Sequence, residues 1–276
     1  MSELRSDRAF GAYDLVAIDV DGTLLDSQNK LSDDNVLAIR AVRERGIGVT
    51  LVSGRGHLPL RQLLHRLDLQ QPFIGSGGAY IADPVTGQVI EHSLLDRRDV
   101  EIMVGLARTA QVGIFFEEQD RLIGEASAEI IDSIRGISGV EVSVTQDILH
   151  ATQEAPTKMF MTSEHAVLVP LEQEIRQRYL KVNLVYSAPI YLEATRQGIN
   201  KGYALQRLSA HLRIPLERIA VLGDGGNDVS MFEIAGLAIA MGNALPEVKA
   251  AADVIAPTND AGGVAWALRE LILKQN

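Results

Sequence analysis

Apolar residues along this chain fall in short continuous runs, and each run ends abruptly in small or acidic residues. Leu15, Val16, Ala17 and Ile18 stop at Asp19-Val20-Asp21-Gly22-Thr23. Residues 47–52 run into Ser53-Gly54-Arg55, and residues 72–74 into Gly75-Ser76-Gly77-Gly78. Farther on, Ile219, Ala220, Val221 and Leu222 give way to Gly223-Asp224-Gly225-Gly226-Asn227-Asp228. Residues 237–240 end at Met241-Gly242-Asn243, and Val254-Ile255 at Pro257-Thr258-Asn259-Asp260. Runs of this kind predict strands buried on both faces of a parallel sheet. Helical patterns separate them. Ser32 followed by Asp33 and Asp34 reads as an N-cap with acids in the first turn, Val36, Ile39, Ala41 and Val42 supply the apolar side, and Gly46 is the stop. Asn200-Lys201-Gly202 opens another helix through Leu205 and Leu208, and residues 263–273 read as a last one. This alternation predicts an α/β fold with a doubly wound parallel sheet.

The rhythm breaks between about residues 83 and 193, where Asp83-Pro84-Val85-Thr86-Gly87 marks a turn. Helices are predicted near 97–110, 127–134 and 165–178, and strands near 112–116, 140–144, 158–162 and 182–186. The expected organisation is a core domain of residues 1–84 plus 196–276, interrupted by an inserted α+β domain of residues 85–195. Such an insertion suits a lid, with hinges near residues 82–85 and 193–198. His92, Arg121, Lys158, Tyr191 and Glu193 are its polar candidates for contacting a leaving group.

Composition narrows the chemistry. The 276 residues are 46% hydrophobic and 22% charged, as in ordinary globular proteins. With 36 acidic against 26 basic residues, the formal charge of −10 argues against general binding to nucleic acid or to an anionic membrane. No cysteine is present, which excludes disulfides, thiolate catalysis and Cys-based metal sites. No run approaches transmembrane length and none resembles a signal peptide, so a cytoplasmic protein is expected, with residues 1–10 as a loose polar tail.

The strand ends carry the candidate chemistry. Residues two apart on a strand point the same way, so a turn after Asp19 would aim Asp19 and Asp21 into one crevice at the carboxyl end of the sheet. Two acids there repel unless a cation or a shared proton separates them, and a hard oxygen-seeking ion such as Mg²⁺ is the fitting guest. Ser53, Lys201, Asp224, Asn227 and Asp228 lie at or just after other element boundaries. Each has a structural alternative: an Asx-turn at Asp21-Gly22, a helix cap at Ser53 or Asn227-Asp228, a solvated surface at Lys201. An EF-hand loop starting at Asp19 fails, because Leu24 and Lys30 stand where Gly and Glu are needed. Neither a phosphate-binding Gly-x₄-Gly-Lys loop, a Gly-x-Ser-x-Gly elbow nor a His-Glu-x-x-His zinc helix occurs. Gly223-Asp224-Gly225 lacks the third glycine of a dinucleotide fingerprint.

Taken together and in this order, the motifs resemble those of the haloacid dehalogenase superfamily of phosphatases, and within it the Cof-type, sugar-phosphatase-like subfamily with an inserted α+β cap. Asp19-Val20-Asp21-Gly22-Thr23 is similar to the first family motif, Ser53-Gly54-Arg55 to the second, Lys201 to the third and Gly223 through Asp228 to the fourth. Subfamily-like phrases are Ser187-Ala188-Pro189, Tyr191-Leu192-Glu193, Met241-Gly242-Asn243-Ala244 and Asn259-Asp260. Gly77 departs from the pattern, which usually has Asn there. The resemblance implies Mg²⁺-dependent hydrolysis of small phosphorylated metabolites. Asp19 would be the nucleophile and Asp21 the general acid and base. Ser53 and Lys201 would hold phosphoryl oxygens, helped by N–H groups at Gly22 and Gly54, with Thr23 bracing the turn. Gly22, Thr23, Gly54, Arg55, Lys201 and Asn227 would face the substrate, Asn227 orienting Lys201 or the phosphate. Asp19, the Asp21 carbonyl and Asp224 would hold the ion, with Asp228 acting through water. A phosphotransferase or phosphomutase using the same intermediate, or a non-catalytic phosphometabolite sensor, stands as the alternative. The expected partner is a small phosphorylated metabolite, and the chain is expected to be a monomer or small homo-oligomer.

Overall fold

The computed structural model describes residues 12–118, 121–138 and 140–274, so the expected polar tail at 1–10 lies outside the described residues. The first buried run forms β1 (Leu15–Asp19), followed by the turn Val20–Leu24 and α1 (Asp33–Glu44). Ser32 caps α1 as its sequence predicts, its side chain accepting from the Asn35 N–H at 3.2 Å. Next come β2 (Gly48–Val52), α2 (His57–Arg66), β3 (Phe73–Gly75), β4 (Tyr80–Ala82) and β5 (Val89–His92). The middle of the chain contributes α3 (Arg97–Thr109), β6 (Gly113–Glu117), β7 (Leu122–Glu125), α4 (Ala128–Ser138), β8 (Val142–Val144), β9 (Lys158–Thr162), α5 (His165–Gln177), β10 (Val182–Ala188) and β11 (Tyr191–Arg196). The last third supplies α6 (Lys201–Leu212), β12 (Ile219–Gly223), α7 (Val229–Phe232), β13 (Leu237–Ala240), α8 (Pro246–Ala251), β14 (Val254–Ile255) and α9 (Gly263–Ala267).

These elements fall into two compact units. One holds the described residues up to Ser53, Leu63–Ile90, and those from Asn200 onward; the other holds Gly54–Gln62 and Glu91–Ile199. The first contains an eight-stranded sheet in the order β14-β13-β12-β1-β2-β3-β4-β5. Its strands from β14 to β3 are parallel, and β4 turns back antiparallel against β3. One face is packed by Leu205 and Leu208 of α6 with Ala17, Val52, Ile74 and Val221. In the second unit a six-stranded sheet runs β10-β11-β9-β6-β7-β8 and is antiparallel except for β7 with β8. Met103, Val104, Leu168 and Ile175 of α3 and α5 join Ile114, Phe116, Met159 and Met161 in its core.

Four elements go beyond the sequence pattern. β7 and β11 are strands by virtue of their partners: β11 pairs antiparallel with β10 on one side and β9 on the other. Helices α2 and α8 carry prolines in their first turns, Pro59 and Pro246, where a missing N–H costs no helical bond.

The turn after β1 is anchored from beneath. Asn35 is buried; its Nδ2 donates to the Leu24 carbonyl at 2.9 Å and its Oδ1 accepts from the Ala265 N–H at 3.1 Å. Truncating Asn35 strands both backbone groups. Asn35→Ala is expected to lose about 2–4 kcal/mol of stability, read as a lower urea midpoint, whereas a loss under about 0.5 kcal/mol would mean that water replaces both bonds.

Candidate active site

Parallel register assembles the site. Ile18 is level with Leu222, and Asp19 with Val52, so Asp19, Ser53 and Asp224 emerge together at three adjacent carboxyl ends. From β1 the chain moves to β2 and β3 on one side, while β12 and its successors occupy the other. Strand order therefore reverses between β12 and β1, the place where open α/β sheets bind ligands.

Lys201, the first residue of α6, is buried there. Its Nζ donates to Asp19 Oδ1 at 2.6 Å and to Asp228 Oδ1 at 2.5 Å. Asp228 Oδ2 accepts from the N–H groups of Asp224 and Gly225 at 2.9 and 2.8 Å, so both oxygens of this carboxylate are engaged. Asp224 Oδ1 accepts from Thr23 Oγ1 at 2.8 Å. Its Oδ2 takes a longer bond from Asn243 Nδ2, which also donates to the Gly22 carbonyl at 2.8 Å. Among the described residues nothing donates to Asp19 Oδ2. Gly22 has a left-handed backbone, φ +77°, and a Cβ there would stand 2.3 Å from Asp224 Oδ2, so any side chain at this position would be strained and would push on Asp224.

The electrostatics follow from burial. Desolvation raises the Asp19 carboxyl well above the usual carboxylate range and Asp228 adds to that, against the pull of Lys201. Desolvation also raises Asp224, opposed by the Thr23 hydrogen bond. For Lys201, burial works against the charge, but Asp19 and Asp228 outweigh it and hold the ammonium above its ordinary range.

Oxygens of Asp19, Asp224 and Asp228 lie within 4.8 Å of one another. Three carboxylates against one ammonium leave two negative charges in excess, and a divalent cation would cancel them. The oxygen-only donor set suits a hard ion that retains several waters.

The other expected residues differ in their surroundings. The Asp21 carboxylate does not join the trio; the chain enters its turn directly after Asp19, and Asp21 is exposed on it. It remains close enough for its charge to push Asp224 upward. Lys201 is oriented by Asp228 and Asp19, and Asn227 is exposed. Thr23 does more than brace its own turn, since its hydroxyl reaches Asp224. Ser53 is fully buried. Gly54 and Arg55 belong to the second unit, where the Gly54 carbonyl accepts from Lys158 Nζ at 2.8 Å. Of the lid candidates, His92 is bonded to Thr157 at 2.7 Å and Arg121 to Glu118 at 2.5 Å. The sequence pattern assigned no role to Asn243 or Asn259. Asn243 Oδ1 accepts from the Asn259 N–H at 3.0 Å, and Asn259 Nδ2 donates to the Leu25 carbonyl at 2.9 Å, tying the two later loops to the first. The phrases Met-Gly-Asn and Asn-Asp at strand ends were their only signal.

Comparison with known proteins gives a consistent picture. Residues 16–268 match the family described as haloacid dehalogenase-like hydrolase. Phosphatase YwpJ of Bacillus subtilis is 31% identical over 94% of this chain and 99% of its own length. The 5-amino-6-(5-phospho-D-ribitylamino)uracil phosphatase YcsE of the same organism is 30% identical over 94% and 96%. A haloacid dehalogenase-like hydrolase from Bacteroides thetaiotaomicron superposes with a TM-score of 0.89 at 29% identity, covering 94% of this chain and all of that one.

The raised carboxyls make the ion's effect depend on pH. A carboxyl held above its unfolded value of 3.8 gives a contribution to stability that is complete below that value and lost as pH rises through the folded one. An ion that binds only the ionised trio restores the loss. Millimolar divalent cation is therefore expected to raise Tm more at about pH 7.5 than at about pH 5, and less in Asp224→Asn. A gain independent of pH, or undiminished in that variant, would place the ion elsewhere.

Proposed function

The chain belongs to the haloacid dehalogenase-like hydrolases, and we propose that it is a Mg²⁺-dependent phosphatase of small phosphate monoesters, sugar phosphates or related metabolites, working through a phosphorylated Asp19. Several curated relatives carry the name phosphatase. One observation supports the reading above all: a buried lysine fixes one oxygen of Asp19, while the other accepts no bond from the described residues and stands beside two further acids.

In this mechanism Asp19 Oδ2 attacks phosphorus and the ester P–O bond breaks. Asp21 gives its proton to the departing alkoxide, which leaves as the alcohol. Water then loses a proton to Asp21 and attacks the same phosphorus. The acyl-phosphate bond breaks, inorganic phosphate leaves and Asp19 is regenerated. Lys201 and the Ser53 hydroxyl neutralise and orient the phosphoryl oxygens. Mg²⁺, held by Asp19, the Asp21 carbonyl and Asp224, would offset the charge of a carboxylate meeting a phosphate dianion. Asp228 then serves chiefly to anchor Lys201 and the Asp224 loop. The α+β insertion is proposed to choose the leaving group. No described helix is long and apolar enough to cross a membrane, in keeping with a cytoplasmic metabolite as substrate.

A panel of phosphate monoesters, assayed for inorganic phosphate with water as the only acceptor, tests the proposal. Release is expected to need Mg²⁺ and to fall at least about a thousandfold in Asp19→Asn. Near-wild-type turnover in that variant would remove Asp19 as nucleophile. Asp21→Asn is expected to lose about 10²- to 10⁴-fold on an alkyl phosphate and much less on a nitrophenyl ester, whose leaving group needs no proton. Equal losses on both esters would count against the acid role.

A further inference from the structure

Asn243, in the loop that follows β13, directs its whole amide at the strand ends of the first unit. Its Nδ2 carries two hydrogens and uses both: one goes to the Gly22 carbonyl at 2.8 Å, the other to Asp224 Oδ2 at 3.2 Å. Its Oδ1 accepts from the Asn259 N–H at 3.0 Å. A backbone N–H only donates, so this last bond fixes which end of the amide faces Asp224. The loop itself is held without the side chain. Met241 N–H donates to the Gly223 carbonyl at 2.9 Å, Gly242 N–H to the Pro257 carbonyl at 3.2 Å and Ala244 N–H to the Met241 carbonyl at 3.0 Å. On a backbone already anchored in this way, an exposed amide adds little to stability.

Its effect falls on the Asp224 carboxylate. Thr23 Oγ1 holds one oxygen at 2.8 Å and Asn243 holds the other, so each oxygen carries a donor. Gly22 closes a further direction, because the place a Cβ would take there is 2.3 Å from Asp224 Oδ2 and the carboxylate lies against bare backbone. The same Asn243 nitrogen ties that backbone and that carboxylate together. A ligand fixed so closely favours an ion that demands strict geometry. Mg²⁺ requires a near-ideal octahedron at short oxygen distances, whereas Ca²⁺ is larger and accepts more oxygens in flexible arrangements.

We propose that Asn243 is a positioning residue for the divalent cation: by holding Asp224 Oδ2 and the Gly22 carbonyl together it presents Asp224 in a fixed orientation that suits Mg²⁺, and so sets the preference for Mg²⁺ over Ca²⁺. This rests on the reading of Asp19 and Asp224 as ligands of Mg²⁺.

Calorimetric titration of the full chain with MgCl₂ alone and with CaCl₂ alone, without substrate, is the test. Asn243→Ala is expected to bind Mg²⁺ about tenfold or more weakly, the usual consequence of removing an outer hydrogen-bond partner of a metal ligand. Its Ca²⁺ affinity is expected to fall no more than about threefold, because the larger ion adapts to a loosened carboxylate. In an Asp224→Asn background, Asn243→Ala is expected to weaken Mg²⁺ binding no more than about twofold further, since both changes act on one ligand. Unchanged Mg²⁺ affinity, equal losses for the two ions or fully multiplicative losses would each overturn the proposal. The metal-free urea midpoint of Asn243→Ala is expected to stay at the wild-type value; a clear fall would make the side chain a structural tie and overturn the proposal too. If the wild-type chain took up neither ion, the Mg²⁺ reading itself would fail, and the proposal with it.

Discussion

The ammonium of Lys201, buried between Asp19 and Asp228, is the interaction on which the carboxyl end of the first unit's sheet depends. It joins residues 182 positions apart in one direction and 27 in the other. Lys201 begins α6, Asp19 ends β1, and Asp228 follows β12, so one side chain locks a helix start to two neighbouring strand ends. A buried ion cluster is weak evidence for stability but strong evidence for fixed geometry, since removing any one partner strands the others without water. Here the geometry is enforced twice, because Asp228 also receives the N–H groups of Asp224 and Gly225.

Uncharged amides hold the rest. Asn35 anchors the Val20–Leu24 turn from below, Asn243 bonds to it and to Asp224, and Asn259 bonds to its end at Leu25. Amides suit this work: each offers donors and an acceptor without adding charge to a site already rich in it. The turn with Asp21 can thus present that residue to solvent while Thr23 points inward to Asp224.

How much of this the sequence disclosed depends on the range of the interaction. Buried parallel strands announce themselves by unbroken apolar runs, and the residues at their ends were legible because the runs stop there. Leu15 through Asp19 and Ile219 through Gly223 are observed close to where the pattern puts them. The strands Leu122–Glu125 and Tyr191–Arg196 were not legible, since their strand character comes from partners distant in sequence. The same limit governs the site. Asp19, Lys201 and Asp224 were found through motifs, but the orientation of Lys201 by Asp228 rather than Asn227 depends on how one turn closes. That closure is set by two N–H groups pointing at Asp228, which no side-chain pattern encodes. For Asn243 and Asn259 the phrases were visible, but their work was not.

The two buried lysines differ in a way that bears on what each cluster is for. Lys158 meets two carboxylates and a carbonyl, and every proton on its nitrogen has an acceptor at hand. Lys201 meets two carboxylates with a third within reach, and two of these acids, Asp19 and Asp224, are held above the ordinary carboxylate range by burial. A cluster serving only to join elements would gain from closing its charge balance, as a fourth polar partner or one fewer acid would do. Leaving two negative charges in excess is costly in the bare protein. The cost becomes intelligible if a divalent cation completes the balance and a phosphoryl group then arrives at the free oxygen of Asp19. On this argument the surplus charge, more than any single residue, is what supports the proposal that phosphoryl transfer takes place at the first unit's strand ends.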